Sequence, residues 1–313
     1  MKKYFIILLV LSVVPGLMAQ QTLDVNQLMK SGNEKVKQLD YASSIKDFNK
    51  ALRMSPGLAE AYCGRAVAKY NLGQYDEALR DANKALDAKK NYPEAFLVRG
   101  QILAATKKFD DALADFDNAL INKNDLYAAI SQKALTTFQL GKEKEAFEII
   151  NKAIDQNDKA PELFFCRGTL YNIKQKFEKA LNDFNKCYEI DPSYNTYNVL
   201  LARGTSHLSQ QDYKESEEDF SKAIEILPNN AAAYSSRSRL RYEQGNYQEA
   251  VDDLTKAIEI NPENASINYN LGMAYYKLND IKNGCEYFHK ACSMGNTNAC
   301  KMVVLSCVEN KKP

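Results

Sequence analysis

The sequence predicts an all-α fold, a solenoid of helix hairpins, on three observations. Sliding the 313-residue chain against itself in steps of 34 aligns the same side-chain classes from Val25 to Asn298, with one two-residue insertion near Asn195-Thr196. Eight units result, and a fixed period of this length marks stacked supersecondary units that share a continuous core. Within each unit small residues alternate with bulky ones, as a packed helical seam requires. Each unit also changes phase once: an apolar-periodic helix, a break such as Leu72-Gly73-Gln74 or Gln244-Gly245-Asn246, then a second helix.

Hydrophobic residues at 45%, 13 Gly and 8 Pro exclude disordered and collagen-like classes. Residues 1–19 read as a signal peptide: Lys2 and Lys3, an apolar run from Phe5 to Val14, then Gly16-Leu17-Met18-Ala19 with cleavage before Gln20. The run is shorter than the ~20 residues a membrane span needs, it is followed by Pro15, and no cysteine follows for a lipid anchor. The expectation is an exported chain, periplasmic or secreted, with no span left after cleavage. Loss of Lys2 and Lys3 leaves 39 basic against 40 acidic side chains, so charge recruits neither nucleic acid nor membrane.

In chain order the units are a short segment 20–24, then 25–58, 59–92, 93–126, 127–160, 161–194, 197–230, 231–264 and 265–298, then a capping helix and tail at 299–313. The first small series is Gly32, Ala66, Gly100, Ala134, Gly168, Gly204, Ser238 and Gly272, where one helix must approach another closely. Sixteen residues after each stands the bulky series Phe48, Ala82, Phe116, Ile150, Phe184, Phe220, Leu254 and Phe288. Aromatics open the second helix at Tyr41, Tyr75, Phe109, Phe177, Tyr213 and Tyr247. Pro56, Pro192, Pro228 and Pro262 close it, because proline lacks the amide and clashes with the preceding turn.

In its period, its small-to-aromatic spacing and its terminal proline, the chain resembles the tetratricopeptide-repeat family. The resemblance implies a right-handed superhelix of about eight hairpins. Glu143 replaces the opening aromatic, and Lys90, Asn124 and Asp158 replace the proline, which predicts looser ends for units two to four.

Five units carry an arginine just before the small residue and an aspartate sixteen residues later: Arg65 with Asp81, Arg99 with Asp115, Arg167 with Asp183, Arg203 with Asp219 and Arg237 with Asp253. These positions lie at similar height on neighbouring helices, so they are expected to form structural ion pairs. Asp47, opposite Ser31, is the one aspartate left over.

Cys285 and Cys292 share one helix face, Cys300 and Cys307 share another, and Met294-Gly295-Asn296-Thr297 turns the chain between them. Antiparallel helices then match Cys292 with Cys300 and Cys285 with Cys307 as two disulfides, which an oxidising compartment sustains. The motif is similar to secreted cysteine-rich helical-repeat proteins. The alternative is zinc held by Cys285, His289, Cys292 and Cys300. Cys63, Cys166 and Cys187 read as buried thiols, with a Cys166 to Cys187 bridge as a further option.

No phosphate-binding loop, nucleophile elbow or metalloprotease helix occurs in the sequence, and of its two histidines His207 reads as core. The expectation is a chain without cofactor, metal or catalytic residues. The family resemblance implies that first helices line a concave groove where a peptide or protein partner lies. Carried over, its lining is Leu97, Gln101, Ser131, Leu135 and Phe138, then Phe165, Thr169, Asn172, Leu201 and Thr205, and finally Arg239, Tyr242, Tyr269 and Tyr276. The family's clamp for a terminal carboxylate is missing, since Met29, Asn33, Gly64, Glu94 and Val98 stand at its positions. The expected function is a non-catalytic interaction scaffold. The alternative is a structural subunit of a cell-envelope or secretion assembly that uses its outer face or ends; a weak enzyme or carbohydrate binder is a third.

Overall fold

The computed structural model describes residues 24–307, and among these every regular element is helical. The leader at 1–19, most of the segment 20–24 and the tail from 308 lie outside the described residues. Two compact units divide the chain, Met1–Asp158 and Lys159–Pro313. The first holds α1 (24–37), α2 (Tyr41–Met54), α3 (Ala59–Asn71), α4 (Tyr75–Ala88), α5 (Pro93–Ala105), α6 (Phe109–Asn122), α7 (Tyr127–Gln139) and α8 (Glu143–Gln156). The second holds α9 (Pro161–Ile173), α10 (Phe177–Ile190), α11 (Thr196–Gln210), α12 (Tyr213–Ile226), α13 (Ala231–Glu243), α14 (Tyr247–Ile260), α15 (Ala265–Lys277) and α16 (Ile281–Ser293). It ends with α17 (Thr297–Met302), which runs into a π-helical turn, Val303–Cys307. Packing is densest within the hairpins α3–α4, α5–α6 and α7–α8 of the first unit and α9–α10 through α15–α16 of the second, and each second helix also packs on the first helix that follows it within its unit.

Two residues before each second helix the backbone turns through positive φ, and the next amide bonds a carbonyl five residues back, as Gln74 does to Lys69 at 2.9 Å. This left-handed turn is what caps the first helix. Glycine fills it at Gly73, Gly141 and Gly245, but Leu39, Lys107, Gln175, Gln211 and Asn279 adopt it at φ between 55° and 66°. The sequence breaks therefore mark fewer than half of the turns.

The looser ends expected where proline is missing are not found. The helices α4, α6 and α8 end at the same point as the others, and their capping amides bond Ala85, Ala119 and Ala153 at 2.9, 2.9 and 3.0 Å. An extended residue enforces the stop in each case, and Pro93, at the first position of α5, restricts Tyr92 before it to that conformation. The two-residue insertion straddles the start of α11: Asn195 turns through φ 45° before the helix and Thr196 is its first residue.

The small and bulky series prove to be one compensated pair. A Cβ built on Gly100 would stand 2.5 Å from the Phe116 ring, and one on Gly32, Gly168, Gly204 or Gly272 would strike Phe48, Phe184, Phe220 or Phe288 at 2.7–2.8 Å. All five phenylalanines are fully buried. Where the first position carries a β-carbon the second shrinks: Ala66 with Ala82, Ala134 with Ile150, Ser238 with Leu254. The interior has a fixed volume, and one extra methyl on one helix removes a ring from the other.

Each of the five arginines grips its aspartate with a two-pronged fork: Arg65–Asp81 at 2.8 and 2.6 Å, Arg99–Asp115 at 2.7 Å twice, Arg167–Asp183 at 2.8 Å twice, Arg203–Asp219 at 2.8 and 2.6 Å, and Arg237–Asp253 at 3.0 and 2.8 Å. The aspartates are buried. The remaining guanidinium nitrogen reaches the second helix of the preceding hairpin, Arg65 to Asn49, Arg99 to Asn83, Arg203 to Asn185 and Arg237 to Ser221, and Lys133 makes the same link to Asp117. One side chain thus joins two hairpins, and the fork geometry suits arginine to the task. Asp47 corrects the expectation that it is unpaired. Lys35, one turn after Ser31, reaches it at 2.6 Å while Ser31 donates at 2.7 Å. Burial works to raise the Asp47 pKa, but these two bonds outweigh it and hold the carboxyl below its ordinary value.

At the far end Cys285 is bonded to Cys307 and Cys292 to Cys300, with Cα separations of 5.6 and 4.7 Å. His289 is exposed beside them, and the sulfurs of the zinc alternative are consumed in the two bonds. Cys63, Cys166 and Cys187 are buried and stand outside any disulfide, so the optional Cys166 to Cys187 bridge is not formed. Burial pushes the Cys63 and Cys187 thiols up to about 12.

Candidate functional site

Much of the groove lining read from the sequence is engaged in packing. In the first unit Leu97 packs against Leu103 and Phe116, Ser131 is buried, Phe138 lies edge-on to Phe147 at 6.5 Å, and Gln101 and Leu135 are half-buried. In the second, Phe165 rests on Phe184 and Tyr194 at 5.9 and 6.5 Å, and the Thr169 and Thr205 hydroxyls donate to their own helices. Asn172 ties α9 to α11, donating to the Ala202 carbonyl at 3.3 Å and accepting from Ser206 at 2.7 Å, while Leu201 packs beside Leu200 and Leu208.

Among the last four positions Tyr269 and Tyr276 also pack, on Phe288 at 6.0 and 6.5 Å, but part of the set is open. Arg239 and Tyr276 are exposed and Tyr242 and Tyr269 half-buried, on the first helices α13 and α15. Two depressions meet there. The larger, about 680 Å³, lies over the start of both helices and is lined by Ser235, Ser236, Ile260 and five asparagines, Asn229, Asn230, Asn261, Asn264 and Asn270. The smaller, about 230 Å³, is lined by Tyr242, Tyr269 and Met273, with Ser238 and Leu254 completing it. Arg239 and Asn270 border both.

The floor of the smaller depression is one of the compensated pairs. Five units place a phenylalanine against glycine, whereas this one places Leu254 against Ser238, and both line the depression. Tyr242 stands edge-on to Tyr247 at 5.1 Å, and burial raises its phenol above the ordinary value. Sequence reasoning missed Asn270, Met273 and the serines; the departure of Ser238 and Leu254 from the Gly–Phe pair of five units was the available signal.

Arg239 is the one charged residue in either lining. Its neighbour is Glu243, at 3.9 Å and half-exposed, and such an exposed pair contributes only ~0.3–0.5 kcal/mol. The Asn230 and Asn264 side chains cap α13 and α15, each accepting a backbone amide at 3.0 Å. Helix starts of this kind favour negative charge. No group of three or more His, Cys, Asp or Glu side chains is placed to hold a metal among the described residues.

Models of the tetratricopeptide repeat match residues 29–93, 197–230, 239–279 and 265–298. The chain belongs to the tetratricopeptide-repeat family. A model of the fifth armadillo-repeat domain of TT21 matches residues 93–200, a stretch of the same hairpin repeats. No curated protein matches the chain. Among solved structures, the crystal structure of the APC/C hetero-tetramer Cut9–Hcn1 aligns with a TM-score of 0.66 at 13% identity, over 88% of this chain and 54% of that one. The tetratricopeptide-repeat chain therefore spans about half the length of that relative. A tetratricopeptide repeat protein from Parabacteroides merdae aligns with a TM-score of 0.55 at 17% identity, over 80% of this chain and 98% of that one. At these identities the likeness concerns the fold. The tetratricopeptide repeat marks a protein-interaction scaffold, a class that is in general not catalytic.

Proposed function

We propose that the chain is an exported, non-catalytic scaffold that takes a peptide or protein partner on the face of its first helices. The observation that carries this reading is the paired depression on α13 and α15, where a single cation stands between an apolar and an amide-lined surface. Export draws support from the basic and apolar start of the sequence and from two disulfides, which persist in oxidising compartments. Site-specific photo-crosslinking in native cell envelopes tests it, with the probe placed at Asn270 or at the outer-face residue Lys256. Adducts with one partner from position 270 are expected. Adducts from position 256 alone would overturn the groove reading in favour of a structural subunit. N-terminal sequencing of the mature chain tests export, with Gln20 expected first.

A further inference from the structure

We propose that the α13–α15 face selects an extended peptide segment in which a bulky apolar residue neighbours an internal aspartate or glutamate. This rests on the groove reading and names the chemistry of its partner. The apolar half of the argument is volume. About 230 Å³ lies over Leu254 and Ser238, walled by Tyr242, Tyr269 and Met273. That is below the roughly 300–1,000 Å³ of sites that enclose a whole small molecule, and is of the size of one side chain. Its floor is the Ser238–Leu254 pair, at the position where five other units carry glycine with phenylalanine.

The polar half is charge. The guanidinium of Arg239 borders both depressions with no other charge in either lining, and its one ion-pair partner among the described residues, Glu243, is half-exposed at 3.9 Å. A planar fork of donors matches a carboxylate in two bonds.

Position decides which carboxylate. A chain whose side chain fills the smaller depression passes Arg239 and continues over the larger one, about 680 Å³ and rich in asparagine amides suited to an extended backbone. The carboxylate at Arg239 therefore belongs to a residue within the segment, not to a chain terminus.

The test uses the full mature chain and terminally blocked, fluorescent peptides from a randomised library, read by anisotropy. Selected peptides are expected to pair Phe, Leu or Met with Asp or Glu. Asp→Asn and Phe→Ala in a selected peptide should each weaken binding about tenfold. Arg239→Gln should abolish the Asp/Asn preference and keep the Phe/Ala one. The double change Ser238→Gly with Leu254→Phe, which restores the pair used elsewhere in the fold, should do the reverse. Peptides that bind this face without either preference, or binding that appears only when the library is repeated with free C-termini, would overturn this inference and leave the groove reading standing. Saccharide ligands competing for position 270 in place of peptides would overturn both.

Discussion

The ring of Phe116 occupies the space that a β-carbon on Gly100 would need, at 2.5 Å. The same exclusion recurs wherever phenylalanine fills the bulky series, so the two positions behave as one site with a shared volume. Gly100→Ala is expected to destabilise the chain by about 2 kcal/mol through overpacking, and Phe116→Leu in the same chain to recover part of the loss. Urea denaturation of the two singles and the double measures the coupling; strictly additive effects would refute it.

Asp183 is buried and accepts two bonds from Arg167. Asp183→Ala leaves that guanidinium without its counter-charge, and a loss of ~3 kcal/mol is expected. An unchanged thermal midpoint would refute the structural role of the pair.

Gln175 holds a left-handed backbone at φ 55° without being glycine. Gln175→Gly should raise stability by about 1 kcal/mol, less whatever the freer unfolded chain takes back. The comparison that checks it is Gly245→Ala at the equivalent turn, which should move the midpoint the other way.

Burial pushes Tyr197, Cys63 and Cys187 up to about 12. The folded chain holds these protons more tightly than the unfolded chain, whose thiols and phenols titrate near ~8.5 and ~10. Their contribution is complete below those values and is lost as pH rises toward 12. Melting followed by circular dichroism should show a falling midpoint between pH 9 and about 12, and a flat profile there contradicts it. The same burial predicts that Cys63 and Cys187 resist maleimide until the chain is denatured.

The bonds Cys285–Cys307 and Cys292–Cys300 span 22 and 8 residues and hold the six-residue helix α17 against α16. Reduction should release α17 while the hairpins remain folded, since repeat stability is carried between nearest neighbours. Hydrogen exchange over 297–307 and tryptic cleavage at Lys301 should both accelerate under reducing conditions. A global loss of helicity at the same reductant concentration is the contrary result.

The period, the aromatic helix starts and the five arginine–aspartate pairs were readable in the sequence because each repeats at a constant offset. Features with another offset were not. Lys35 meets Asp47 across twelve residues, so a search at sixteen left the aspartate alone. Asn49 and Asn83 lie sixteen residues before their arginines, in the neighbouring unit, and comparison within units passes over them. Lys107 and Gln175 take a turn conformation that their side chains do not announce. The depressions over Leu254 and the starts of α13 and α15 join residues from several units; Asn230 and Asn264 keep the 34-residue spacing, but Asn229, Asn261 and Asn270 do not, so no single series announces the site.

The guanidinium that joins two hairpins also decides where the array tolerates cutting. A fragment that begins at α3 keeps Arg65 and Asp81 but leaves Asn49 behind, so its first arginine loses a hydrogen-bond partner. One that begins at α2 keeps the whole three-way junction. For excision, grafting or circular permutation the natural module is thus longer than the sequence unit: it starts on a second helix and closes on the second helix of the hairpin after it, so that amide, arginine and aspartate stay together.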